Sequence, residues 1–145
     1  MSKPANQMIF VNLPVADLPR AKAFYESIGA TNDPKFTDDT AACMVFSDTI
    51  HVMLLTHDKY KQFTTKQIAD TRNTSAAMFA ITKDQRDCVD AVLGAALENG
   101  ATEPRDKMDF GWMYNRAFDD LDGHTWEVVW MDMDAFMKAT GKAAA

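Results

Sequence analysis

An α+β fold made of two similar βαβββ modules is what this sequence of 145 residues predicts. Three observations carry the prediction. The two halves repeat a strand, helix, hairpin order. Both helices leave through matched segments, Gly29-Ala30-Thr31-Asn32-Asp33-Pro34 and Gly100-Ala101-Thr102-Glu103-Pro104. Each half then ends in two short apolar runs joined by a turn signal. A repeat of roughly 70 residues is too long for a solenoid unit, so two modules fit it better. Each would lay its helix on one sheet face and leave the other face to a concave cavity.

The elements follow in order. Residues 8–15, MIFVNLPV, predict a strand. Asp17 is a candidate N-cap, with Pro19 in the first helical turn. Ala21, Phe24, Tyr25 and Ile28 form one apolar helical stripe, which Gly29 ends as a C′ glycine. The runs AACMVFS (41–47) and IHVMLLT (50–56) predict a hairpin turned at Asp48-Thr49. The polar segment 57–75 reads as a linker, with a short helix near Thr65–Asp70. In the second half, AAMFAIT (76–82) is a strand and Asp84 a cap. The next stripe is Val89, Val92, Leu93, Ala96 and Leu97, stopped by Gly100. Residues 112–120 and 124–131 predict a second hairpin, turned by Asp122-Gly123 in type I′ geometry. Room for one more strand remains after each helix. The resulting division is module one at about 7–57, a linker at 58–75, module two at about 76–131, and a fraying helical tail at 132–145.

Composition narrows the function classes. The chain is 47% hydrophobic and 25% charged, as a soluble globular protein should be. Its formal charge of −6 argues against nucleic acid, which needs a basic face. No apolar run reaches membrane-spanning length, and MSKPANQ lacks the hydrophobic core of a signal peptide. Cys43 and Cys88 are not in CxxC spacing and read as buried free thiols, which points to the cytoplasm. Nucleotide-binding glycine motifs and the HExxH and GxSxG signatures are missing. Asp119, Asp120 and Asp122 lack calcium-loop spacing and read as turn chemistry. His124, just after the turn, reads as exposed, as does His57.

Glu127 stands out within TWEVVWM. Period two puts Trp126, Val128 and Trp130 on one face as core, and Thr125, Glu127 and Val129 on the other. A carboxylate among apolar residues must be solvated, paired, or aimed into a cavity.

VADLPRAKAFYESIGA (15–30) and FDDLDGHTWEV (118–128) together resemble the two signatures of the vicinal oxygen chelate superfamily, the glyoxalase, bleomycin-resistance and extradiol dioxygenase group. The ending from Tyr114 to Asp132 is similar to that of glyoxalase-like proteins described as lactoylglutathione lyases. The resemblance covers residues 7–131 and implies a single domain of two βαβββ modules. It also implies one divalent metal held by four strand positions, which fall here on Phe10, Met53, Met78 and Glu127. Only Glu127 is a usual ligand, since phenylalanine cannot ligate and thioethers suit soft ions. No metal ligand set is therefore assigned and no cofactor is expected, with a divalent metal left open. An improvised set of Asn12, His51 and Glu127 is the alternative.

Phe10, Met53 and Met78 are either packed core or the lining of an apolar pocket around Glu127. Trp112, Tyr114 and Arg116 share one face of their strand. On the cavity side, Arg116 would pair Glu127 or hold an anion; on the other it would be solvated or face a dimer partner. The functional expectation is a glyoxalase-like protein with a degenerate metal site that binds or transforms a small, partly apolar molecule. Glu127 would then be the general base, its pKa raised by apolar neighbours. Whether it is an enzyme at all stays open. The alternatives are a non-catalytic drug-binding protein of the bleomycin-resistance type and a lyase or dioxygenase with an atypical metal site. A homodimer is expected.

Overall fold

The computed structural model describes residues 1–142. They form two compact units, Met1–Thr74 and a second from Ser75 onward. In the first unit, β1 (Ile9–Val15), β2 (Thr31–Asp33), β3 (Ala41–Val45) and β4 (Ile50–Thr56) form one sheet in the order β1-β4-β3-β2. The second sheet repeats this with β5 (Met78–Thr82), β6 (Met108–Asp109), β7 (Met113–Asp119) and β8 (Thr125–Met131), ordered β5-β8-β7-β6. In each, the first strand pairs in parallel with the last and the other pairings are antiparallel. The βαβββ prediction holds for both units, including the extra short strands β2 and β6.

Helix α1 (Leu18–Ser27) begins where Asp17 accepts the Arg20 N–H at 3.1 Å, so the predicted cap is real. It buries Ala21, Phe24 and Tyr25, with Ile28 buried at its C-cap. Gly29 follows at φ +106°, a conformation that a side chain would strain, although space around it is open. Tyr25 meets Phe46 edge-on, which places α1 on the sheet face carrying Met44, Val52 and Leu54, all fully buried.

Helix α3 (Arg86–Glu98) buries Val89, Val92, Leu93 and Ala96 against β7 and β8. Two details of the expected helix change. Its N-cap is Gln85, without a side-chain bond, rather than Asp84, and Leu97 lies outside the buried stripe. The linker helix also moves: α2 is His57–Tyr60, started by Thr56 Oγ1 accepting the Lys59 N–H at 3.2 Å. Residues 65–70 are not helical. There Thr64 Oγ1 accepts the Lys66 N–H, a local bond that competes with helix formation. The tail forms α4 (Met133–Thr140), capped by Asp132. The frayed end predicted at 143–145 lies outside the described residues.

The second hairpin turns differently from expectation. Asp122 does not have positive φ, so the turn is not type I′; only Gly123 does, at φ 87°. Asp120 organises it instead. Its Oδ1 accepts the N–H groups of Asp122 and His124, both at 2.9 Å. This folds His124 inward to 6% exposure, against the expectation that it is exposed. Cys43 and Cys88 are both free, Cys43 buried and Cys88 half-buried.

Candidate functional site

Glu127 lies on the β8 face away from α3, as the alternation predicts. Trp126 and Val128 are buried on the α3 side, and Trp126 packs on Phe79 with ring centres 5.1 Å apart. The carboxylate is paired, by a residue that sequence reasoning missed. Arg105 Nη2 donates to Glu127 Oε1 at 2.7 Å and to Asn115 Oδ1 at 2.5 Å. The two side chains of the ion pair are 28% and 25% exposed, so the pair is half-buried and open to solvent. Its neighbours in register are Ala117 on β7 and Ala80 on β5. Glu127 therefore sits beside a guanidinium and two methyl groups, rather than in a purely apolar surround.

Tyr114 and Arg116 do not share this face. Both point to the α3 side, which decides between the two faces left open for them and removes them from the candidate pocket around Glu127. Arg116 Nη1 donates to Asp90 at 2.8 Å, and its Nε and Nη2 donate to Glu103 at 2.9 and 2.8 Å. Tyr114 Oη donates to Asp90 at 2.6 Å, and the Arg86 guanidinium lies 4.1 Å above its ring. Arg116 is thus ion-paired with Asp90 and Glu103, not with Glu127. The electrostatic consequences follow the contacts. The bond from Arg116 holds Glu103 below the usual carboxylate range. The bonds from Tyr114 and then Arg116 hold Asp90 down as well. Burial, then the bond to Asp90, pushes the Tyr114 phenol up. Nearby, Arg86 donates to both oxygens of Asp109 and lowers that carboxyl to about 2. Trp112 packs elsewhere, against Phe110 and Phe136 at 5.6 and 4.9 Å.

A bulged strap builds both arrangements. Thr102 bridges Asp119, and Met108 pairs Asn115, so residues 103–107 face only residues 116–118 of β7. The surplus chain bows out from the sheet margin. Glu103 reaches Arg116 on the α3 side and Arg105 reaches Glu127 on the other. Against the strap lies an open cleft of about 940 Å³, lined by Asp90, Glu103, Arg105, Lys107, Tyr114 and Arg116 among others.

In the first unit, Phe10, Asn12, His51 and Met53 do share one sheet face. Phe10 and His51 stack at 4.6 Å with rings 17° apart, and the buried His51 Nδ1 has no hydrogen-bond partner. Phe10 is 47% exposed and Met78, in the second unit, 63%, so neither is packed core; Met53 is half-buried. The four positions implied for a divalent metal thus offer no donor at Phe10 and thioethers at Met53 and Met78. The one carboxylate, Glu127, is already ion-paired. That donor set does not fit such an ion. Among the described residues, no group of three or more His, Cys, Asp or Glu is placed to hold a metal.

Comparison with known proteins supplies the frame. The sequence matches no protein-family model and no curated protein. Solved structures do match. A hypothetical protein from S. aureus superposes with a TM-score of 0.73 at 19% identity, covering 85% of this chain and 92% of that one. A glyoxalase/bleomycin resistance protein/dioxygenase family enzyme from Burkholderia phytofirmans gives 0.69 at 15% identity, covering 85% and 97%. The fosfomycin resistance protein FosX from Mesorhizobium loti gives 0.65 at 17% identity, covering 94% and 99%. This chain has the glyoxalase/bleomycin resistance/dioxygenase fold. At such identities the likeness is one of fold, and the chemistry must be argued from the side chains. No helix among the described residues is long and apolar enough to cross a membrane.

Proposed function

We propose that this glyoxalase-fold protein binds a small, partly apolar molecule on the Glu127 face of its second sheet and does so without a resident divalent metal. The observation that carries the reading is the Glu127–Arg105–Asn115 cluster, polar and half-buried beside the exposed Ala80 and Met78. A few placed polar groups beside apolar surface are what small-molecule sites use. If the ligand is transformed, Glu127 is the general base and Arg105 fixes its direction. A cationic drug would have to displace Arg105, which disfavours the bleomycin-resistance alternative.

The test is calorimetric titration of the chelator-treated protein with nickel and zinc. Weak, substoichiometric binding is expected. Tight one-to-one binding that is lost in Glu127→Gln would overturn the metal-free reading. We further propose a cytoplasmic homodimer. The support is two free thiols and the margin strand β1, which exposes Ile9 and Phe10 on opposite faces. A monomeric mass by light scattering at micromolar concentration would refute the dimer.

A further inference from the structure

The hydrogen bonds that the Arg105–Glu127 pair makes define those it leaves unmade. Both Nη2 hydrogens are committed, to Asn115 and Glu127, and Nη1 donates to the Asp106 carbonyl at 3.2 Å. Among the described residues, Arg105 Nε donates to nothing and Glu127 Oε2 accepts from nothing. The pair therefore offers a cationic donor and an anionic acceptor within one ion pair whose side chains are 28% and 25% exposed. A carboxylate alone would satisfy the donor and repel the acceptor. A diol alone would satisfy the acceptor and leave the guanidinium without its preferred anion. The next position across the sheet is the exposed Ala80, whose methyl leaves lateral room, with exposed Met78 further along the same face.

We propose that the site selects an α-hydroxy carboxylate with an apolar substituent. Its carboxylate takes Arg105 Nε–H, its hydroxyl donates to Glu127 Oε2, and its apolar group lies over Ala80 and Met78. The inference rests on the reading above that this face binds a small molecule, and it adds the ligand's class. Arg105 becomes the residue that sets specificity for the anion, and Glu127 the one that reads the hydroxyl.

Three probes of one shape separate the possibilities: mandelate, phenylacetate and 1-phenyl-1,2-ethanediol. Binding is followed by the amide shifts of Ala80, Ala117, Glu127 and Val129. Mandelate should bind about tenfold more tightly than either partial probe, the discrimination expected from one extra good hydrogen bond to a charged group. Arg105→Met should erase its advantage over the diol, and Glu127→Gln most of its advantage over phenylacetate. If Arg105→Met does not fold, Arg105→Lys, which keeps the charge and loses the fork, should give the same direction. Equal binding of all three probes to the wild-type protein would overturn the inference and spare the small-ligand reading. No shift at these amides with any probe would overturn both.

Discussion

In the first unit, β1 and β4 carry Phe10, Asn12, His51 and Met53 on the face away from α1, a set without formal charge apart from the titratable imidazole. In the second, β8 and β7 carry Glu127 and Asn115 on the matching face, and a strap from the sheet margin adds Arg105. Strand order and pairing are the same in both. Both helix sides share a core of large apolar residues, to which the second adds the Arg116 network. What differs is the chain between the helix and the hairpin. In the first unit β2 pairs three residues of β3 and a short 3-10 turn follows. In the second the corresponding stretch bows out and carries charges to both faces. The fold sets the frame, and one irregular segment sets the chemistry.

The likeness of the helix sides is the claim with the largest expected effect. Trp126→Ala in the second unit should cost about 3–5 kcal/mol and Met44→Ala in the first about 2–5 kcal/mol, read by chemical denaturation. A cost under about 1 kcal/mol for either would show that the two cores are not equivalent.

The strap comes next. Glu103→Gln should cost about 1.5–3 kcal/mol by weakening charge-assisted bonds to Arg116. It should also change the acid limb. Arg116 holds Glu103 below its ordinary range, and Tyr114 does the same for Asp90. The stability they contribute is complete above the unfolded carboxylate range, about pH 4. It is lost as pH falls through the lower folded values. In Glu103→Gln that loss should be visibly smaller. An unchanged acid limb would assign the acid sensitivity to other groups.

A smaller effect of opposite sign tests the first unit. His51→Phe keeps the stack on Phe10 and removes a buried nitrogen with no partner, so the protein should gain about 1 kcal/mol. A loss would mean that Nδ1 is satisfied in solution. The smallest change is Phe10→Ala, where half-exposure limits the cost to about 1 kcal/mol or less.

Much of the architecture was legible in the sequence because it rests on periodicity and caps. The stripes of α1 and α3, the Asp17 cap, the glycines after both helices and the alternation in TWEVVWM each follow one local rule. The second turn departs from expectation because Asp122-Gly123 is a strong pair signal, while the controlling group is the carboxylate two residues before Asp122. The candidate site was half legible. Glu127 could be found, since a carboxylate inside an apolar strand demands a partner. Arg105 could not. In a regular strand Glu103 and Arg105 would share a face, whereas the bulge sends them to opposite ones. Nothing in Glu-Pro-Arg-Asp-Lys announces the surplus residues; they emerge only from the register of Thr102 and Met108 with β7.

The bowed segment also changes what another molecule can do to the second sheet. β6 supplies only two residues, so the row of β7 residues 116–118, between the Met108–Asn115 pair and the Thr102–Asp119 bridge, has no strand partner on that margin. The strap lies along that row, fastened by Arg116 to Glu103 on one side and by Glu127 to Arg105 on the other. Charged, proline-bearing and curved, it is a poor template for strand addition. The contacts that aim Glu127 therefore also guard the sheet against polymerisation, and a variant that frees the strap should be the first to form fibrils.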